Sequence, residues 1–440
     1  FKENGRYQSY FIQTFGCQMN EHDSEKMDYL LQGQGYIPVK EVREADVIVV
    51  NTCCVREKAE QKFYSFMGRL KALKARYGKI IGVTGCIAQL EKNNIKERLP
   101  FVDFSLGPSN IHKITDAIDK ALNNIDFMDF SENGYHPGIG SHYIHKKNDL
   151  KAFITIMKGC NNFCSYCIVP YVRGREISRH SKDILNEIKM MSDNGVKEII
   201  LLGQNVNSYN KGNNDLSFPE LLETINEFNG IERIRFVTSH PKDLSPNLIE
   251  CFGRLEKLCE QIHLPFQAGS DKILRLMNRG YTVKQYIDKI THLRMRCSDI
   301  AITSDCIVGF PGEDDDAFNE TMELITLLEF DGIFSFVYSP RKYAAASNLP
   351  NDVTKEKALE RLRHLQTVQK AITIKKNRAM EGKTFQVLVE GASKNSNEEL
   401  TGRTRTNKIV NFKGKHDMIG SMTDVKIIKG YANSLKGEEP

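Results

Sequence analysis

Gly159-Cys160-Asn161-Asn162-Phe163-Cys164-Ser165-Tyr166-Cys167 places three thiols within eight residues, with three residues and then two between them. A run this tight cannot pair off in disulfides among itself, but its loop can curl until three sulfurs face one point. Thiolate sulfur suits zinc, copper(I) and iron–sulfur clusters. A closed structural zinc site takes four ligands, usually as two separated pairs, and a ferredoxin-type cluster also takes four cysteines. After Cys167 the next Cys or His is His180. The count therefore stops at three, and a four-iron cube held here keeps one iron open to another ligand.

Around this loop, residues 146–375 alternate strand and helix. Strands are expected over 153–157, 198–202, 234–238, 261–264, 301–308 and 333–337, with helices over 181–194, 218–228, 271–277 and 316–328. Six βα units match an incomplete (β/α) barrel, and the cysteine loop follows its first strand, at the carboxyl end where barrels carry catalytic groups. Other strand ends bear Gln204 and Asn205, Ser239 and His240, His263 through Gln267, and Asp305. Gln204, Ser239 and Gln267 can hydrogen-bond a ligand in the barrel mouth or cap the helices that follow. His240 and His263 read as proton carriers or as packed histidines. Arg173, Arg175 and Arg179 lie just past the loop and suit an anionic substrate. Cys251, Cys259, Cys297 and Cys306 have no ligand-like spacing and read as buried apolar thiols.

Before the barrel, short buried strands are expected over 10–15, 46–50 and 79–83, with helices over 23–32 and 55–77 between them. Such alternation makes a parallel sheet covered by helices. Cys17, Cys53 and Cys86 each follow one of these strands, separated by 35 and then 32 residues. Parallel strands bring their carboxyl ends to one edge, where ligands bind, so three distant thiols should meet there. This is a second trio, again one ligand short. Cys54 is expected to point away from it. A linker is expected over 130–150, around Gly134, Pro137, Gly138 and Gly140.

After the barrel, residues 351–380 form an amphipathic, lysine-rich stretch with Leu359, Leu362, Leu365 and Val368 at helical spacing. Alternating segments 385–390, 409–412 and 424–428 then suggest a small antiparallel barrel of the oligonucleotide-binding kind. Arg403, Arg405 and Lys408 cluster near one strand and suit phosphate contacts. Residues 371–440 hold 13 Lys and Arg against 8 Asp and Glu, which accounts for the whole net charge of +5. At 440 residues, 40% hydrophobic and 27% charged, the chain has an ordinary globular composition and is long enough for two or three domains. It has no run of 18 apolar residues, so no membrane span is expected. Its opening residues contain no apolar signal segment and no Met, so the natural start is expected upstream. Eleven cysteines without an export signal suggest metal ligation in a reducing cytoplasm.

The Cys-x3-Cys-x2-Cys loop, with Tyr166 before its last cysteine, resembles the cluster loop of the radical S-adenosylmethionine (SAM) enzymes. The final sixty residues resemble a TRAM domain. In this order the three modules are similar to the methylthiotransferases. Within that family, the segments 51–60, 171–179, 263–270 and 277–279 look most like the branch acting on N6-(dimethylallyl)adenosine beside the anticodon of tRNA. One departure is Ser339-Pro340-Arg341-Lys342-Tyr343-Ala344, where the family often has Gly-Thr.

The resemblance implies an α/β multidomain chain. Residues 8–125 would form a flavodoxin-like parallel sheet, 146–376 a partial (β/α)6 radical-SAM barrel and 379–440 a TRAM β-barrel. It implies two 4Fe-4S clusters, one on Cys160, Cys164 and Cys167 and one on Cys17, Cys53 and Cys86. Tyr166, Gln204, Ser239 and Gln267 would contact SAM, and Arg173, Arg175, Arg403, Arg405 and Lys408 would contact RNA. The first cluster would generate a radical that abstracts hydrogen from adenine C2, and the second would present the sulfur that a further SAM methylates. The partners implied are the tRNA anticodon stem-loop and an electron donor such as flavodoxin or ferredoxin. Sister enzymes acting on threonylcarbamoyl adenosine or on a ribosomal-protein aspartate remain alternatives, as does a non-catalytic iron–sulfur RNA-binding regulator.

Overall fold

The computed structural model describes residues 8–54, 57–132, 149–212, 214–394, 396 and 398–439. The glycines and proline of the expected linker, with Val55 and Arg56, lie outside these residues.

The first module is a parallel sheet whose central strand is a continuous apolar run, as a strand covered on both faces requires. Its strands are β1 (Ser9–Phe15), β2 (Ile37–Pro38), β3 (Val47–Thr52), β4 (Ile80–Gly85), β5 (Phe104–Leu106) and β6 (Phe127–Asp129), in the spatial order β2-β1-β3-β4-β5-β6. All six residues of β3 are buried. The first five strands follow the flavodoxin-like order, whose ligand crevice opens between β1 and β3. Helix Gln18–Gly33 begins five residues earlier than its periodicity suggested, directly after Cys17.

The barrel strands are β7 (Lys151–Thr155), a short pair β8 (Met157–Lys158) and β9 (Ile177–Ser178), then β10 (Glu198–Leu202), β11 (Arg233–Phe236), β12 (Gln261–His263), β13 (Ala301–Val308) and β14 (Gly332–Val337). They form two parallel three-stranded sheets, β11-β10-β7 and β12-β13-β14. A parallel bridge between Ile234 and Leu258 joins the two. The six long strands thus curve in chain order around one large apolar core, which includes Ile154, Ile199, Ile234, Ile262 and Ile302. β8 and β9 are antiparallel and clip the cysteine loop at its two ends. Cys251, Cys259 and Cys306 are buried thiols and Cys297 is half-buried.

Helix Lys355–Arg378, capped by the Thr354 side chain, leads into β15 (Thr384–Ala392), β16 (Glu399–Thr404), β17 (Ile409–Lys413), β18 (Met422–Gly430) and β19 (Leu435–Glu438). These close into a barrel in the order β15-β16-β17-β19-β18 around Val387, Val410, Phe412, Val425 and Ile427.

This small barrel plugs the amino end of the larger one. Arg233, fully buried at the start of β11, donates to the carbonyls of Arg403 at 2.7 Å and Gln386 at 2.9 Å. Arg235 donates to the carbonyls of Arg405 at 2.7 Å and Thr404 at 2.8 Å. Two arginines in a fully buried four-residue strand make sense only with such acceptors above them. No helix among the described residues is long and apolar enough to cross a membrane.

Candidate active site

Both thiol trios sit at carboxyl ends of parallel strands, and one short segment serves both. Cys17 occupies the cap position of helix Gln18–Gly33, where the exposed N–H groups and helix dipole favour an anion. Its sulfur lies 3.3 Å from Asn20 Oδ1. Asn20 in turn donates to Asn51 Oδ1 at 3.0 Å, and Asn51 donates back to the Asn20 carbonyl at 2.8 Å. This buried amide pair ties the first turn of helix Gln18–Gly33 to the end of β3. Cys53 N–H bonds the Phe15 carbonyl at 2.9 Å. Gly85, at φ +90, brings Cys86 in so closely that a Cβ there would sit 2.4 Å from Asn51 Oδ1. Cys53 and Cys86 are buried, whereas Cys17 is exposed.

Cys54 departs from expectation. β3 ends at Thr52, so strand alternation no longer governs Cys54, and its thiol hydrogen-bonds Cys86.

In the barrel loop, Gly159 takes φ +74 with its α-carbon pressed on the Arg175 carbonyl; an added Cβ would fall 1.9 Å from that oxygen. Gln204 accepts the Gly159 N–H at 2.6 Å, so its carbonyl shapes the loop. A brace absent from the sequence reading holds the other end. Asn278 Nδ2 donates to the Phe163 carbonyl at 3.0 Å, and Ser165 N–H bonds the Met277 carbonyl at 3.0 Å.

Arg279, also unassigned from sequence, is buried with Nη1 3.3 Å from Cys164 Sγ and 3.2 Å from the Tyr166 hydroxyl. His240 Nδ1 accepts the Lys242 N–H at 3.1 Å, which leaves Nε2 as the protonated nitrogen, 3.8 Å from Cys164 Sγ. Burial, with Arg279 and two lysines nearby, pushes His240 far below its ordinary value and keeps it neutral. Its role is therefore donation toward sulfur. His263 bonds Thr303 at 3.0 Å and faces Asp305 at 3.5 Å.

The two trios differ in electrostatic setting. A hydrogen bond with Cys53, helped by Arg173, draws the Cys17 thiol down to about 6. A hydrogen bond with Cys54, again helped by Arg173, draws Cys86 down to about 7. Burial pushes Cys160 up, and Cys167 up to about 12. A bound metal would take both sets to thiolate.

Among the described residues no three His, Cys, Asp or Glu close on a single ion. The donors of each trio are all thiols, a set that suits iron–sulfur clusters. At the ends of β11 and β12, Ser239 Oγ and Gln267 Oε1 are buried with no protein partner. Orphaned buried oxygens of this kind call for a polar ligand, and SAM, with its ammonium and hydroxyl donors, fits them.

Several cations assigned by their position in the sequence to RNA, or in the case of Arg179 to an anionic substrate, are instead paired inside the chain. The Arg173 guanidinium bonds Asp23 at 2.9 Å, the two side chains being 7% and 9% exposed, and also touches Cys86. Arg179 pairs with Glu187, both buried. Arg405 grips both Glu260 oxygens at 2.7 and 2.8 Å and the carbonyls of Glu256 and Leu258. Lys408 pairs with buried Asp331 at 3.0 Å. Arg403 leans on Glu390 at 3.3 Å and remains one-third exposed. For Arg173, Arg405 and Lys408 the carboxylate that captures the cation is distant in sequence. Arg175 is exposed, its guanidinium lying 4.2 Å over the Phe163 ring.

Just before Arg173, Ile168 and Val172 are buried in the same apolar cluster as Cys54 and Cys86. The segment that begins with one trio thus packs into the floor of the other.

Three family models match the chain: Uncharacterized protein family UPF0004 over residues 9–107, the Radical SAM superfamily over 154–325 and the TRAM domain over 378–438. A tRNA-2-methylthio-N(6)-dimethylallyladenosine synthase of Syntrophus aciditrophicus is 51% identical over 97% of this chain and 94% of its own. Those of Clostridium botulinum strain Okra and Geobacter metallireducens are each 48% identical over at least 97% of this chain and 96% of their own. Among solved structures, the radical SAM methyltransferase TsrM of Kitasatospora setae shares the fold at a TM-score of 0.57 and 11% identity, covering 78% of this chain and 77% of its own.

Proposed function

This chain belongs to the family of the tRNA-2-methylthio-N(6)-dimethylallyladenosine synthases, and on that premise we propose how its residues divide the family's reaction. The activity is methylthiolation of N6-(dimethylallyl)adenosine in tRNA at C2 of the adenine. Cys160, Cys164 and Cys167 would hold a four-iron cluster with an iron open to SAM, and Cys17, Cys53 and Cys86 would hold a second. C2 is an unactivated carbon with no leaving group, so the bound groups supply a radical for the hydrogen and a sulfur for the new bond.

The chain's own residues position these parts. Ser239 and Gln267 offer their unpartnered oxygens to SAM, and Tyr166, whose hydroxyl Arg279 fixes, lines the same mouth. Gln204, Asn278 and Gly159 set the loop. His240 and Arg279 aim N–H groups at Cys164 sulfur, and such donors tune cluster potential. Cys17, the exposed member of its trio, lies on the open side of the crevice. The adenine must leave the anticodon-loop stack to arrive there. The modules run over 8–125, 146–376 and 379–440. An electron donor such as flavodoxin or ferredoxin would be the partner that supplies the electron, and a tRNA substrate fits a cytoplasmic enzyme.

The observation that carries this reading is the single segment 160–173, which bears one trio and touches the other through Arg173. Mass spectrometry of tRNA nucleosides from a strain lacking the gene tests it. The 2-methylthio form should disappear and the dimethylallyl precursor accumulate. Unchanged 2-methylthio-N6-dimethylallyladenosine, with loss of a threonylcarbamoyl derivative instead, would reject the assignment.

A further inference from the structure

The rim of the barrel mouth carries an aromatic row that neither trio uses. Phe163 stands in the cysteine loop, Tyr171 on the short helix Val169–Val172, and Tyr343 in the loop after β14. Tyr171 and Tyr343 are stacked, with centroids 6.2 Å apart and planes 29° from parallel. Phe163 meets Tyr171 edge-on at 6.3 Å and 88°. A cation stands at each end: Arg175 lies 4.2 Å over Phe163, and Lys342 Nζ lies 5.1 Å from the Tyr343 ring centre.

The row belongs to the mouth. Ala346 N–H bonds the Ser165 carbonyl at 2.7 Å, tying the Tyr343 loop to the cysteine loop. Arg341, two residues before Tyr343, pairs with Glu60 of the first module at 3.2 Å. The row therefore borders the opening between the two trios.

Two features set these rings apart from ordinary packing. Tyr171 is 41% exposed and Tyr343 55%, so large apolar faces remain in water. Phe163 and Tyr343 also hold φ of +47 and +71, left-handed values that a bulky side chain adopts only at a cost and that cluster at ligand clamps.

We propose that Phe163, Tyr171 and Tyr343 form a stacking platform for unpaired bases of the substrate RNA loop, with Arg175 and Lys342 on the flanking phosphates. Aromatic faces beside cations are the chemistry that holds splayed single-stranded bases, and every base offers a π face. This proposal rests on tRNA being the substrate.

The test uses the full, cluster-loaded chain and an end-labelled anticodon stem-loop RNA, with affinity read by fluorescence anisotropy. Tyr343→Ala and Tyr343→Gly should each weaken binding about 5- to 100-fold, the loss of one stacked base. Tyr343→Phe, which keeps the ring, should bind as wild type does. Tyr343→Gly relieves the left-handed backbone, so its melting temperature should stay at or above that of wild type; weaker binding then cannot come from a weaker fold. Wild-type affinity in the Ala and Gly variants overturns the platform and leaves the substrate standing. Loss of affinity in Tyr343→Phe assigns the effect to the hydroxyl and also overturns stacking. Failure of the wild-type chain to bind the stem-loop overturns the substrate reading itself.

Discussion

Replacing Arg173 with Met withdraws a cation from a place water barely reaches. The Arg173 and Asp23 side chains are 7% and 9% exposed, so the variant strands a buried carboxylate. Breaking one half of such a pair costs about 3–5 kcal/mol, against about 1 kcal/mol or less for an exposed pair. At about 2–4 °C per kcal/mol for a unit of 150–250 residues, the melting temperature should fall by about 6–20 °C. Asp23→Asn in the same chain removes the stranded charge, so the double variant should recover about 0.5–3 kcal/mol relative to the summed single costs. The measurement is urea unfolding of the metal-free chain followed by circular dichroism, over all four members of the cycle. Because Arg173 also touches Cys86, the variant should retain less iron at the first-module trio in a background where Cys160, Cys164 and Cys167 are alanine. A cost below about 1 kcal/mol together with additive single effects would refute the buried bridge.

Asp331 carries a pH signature. Burial raises its carboxyl, but Lys408 and Lys376 more than reverse this and hold it below the ordinary carboxylate value. A depressed folded value means the stabilisation is complete above the unfolded value of about 3.9 and is lost as pH falls through the folded one. Asp331→Asn should therefore lower stability at neutral pH and flatten the acid limb of the stability curve below about pH 4; an acid limb as steep as that of wild type contradicts the linkage. Arg405→Ala should loosen the C-terminal barrel by about 1–3 kcal/mol, seen as faster limited proteolysis near residue 379. The slope of RNA affinity against salt should not change, because Arg405 neutralises Glu260 and no phosphate. A slope reduced by about one would return Arg405 to the RNA interface.

What was legible in the sequence was what backbone geometry enforces. Parallel strands must end on one edge, and strand–helix alternation alone predicts the adjacent parallel strands β1, β3 and β4 that Cys17, Cys53 and Cys86 follow. Cys160, Cys164 and Cys167 needed only local spacing. What escaped depended on distant partners. Arg173 reads as a substrate cation until Asp23, 150 residues earlier, takes it. Arg405 and Lys408 read as phosphate contacts until Glu260 and Asp331 of the barrel take them. A signal was present in Arg233 and Arg235, since two arginines in a four-residue barrel strand require acceptors, and the C-terminal barrel's carbonyls supply them. Cys54 was misjudged because alternation was carried two residues past the end of β3. Arg279 lay in a segment already marked by its resemblance to the family, but no local pattern ties it to Cys164, 115 residues away.

The central claim is that the chain holds two independent three-thiolate iron–sulfur sites. It is tested most directly by the iron and sulfide content of anaerobically prepared wild type beside a variant with Cys160, Cys164 and Cys167 all replaced by alanine. The account predicts that the variant keeps half of both and forms no 5′-deoxyadenosine from SAM. A variant that keeps all of its iron, or loses all of it while still folded, would contradict two separate clusters.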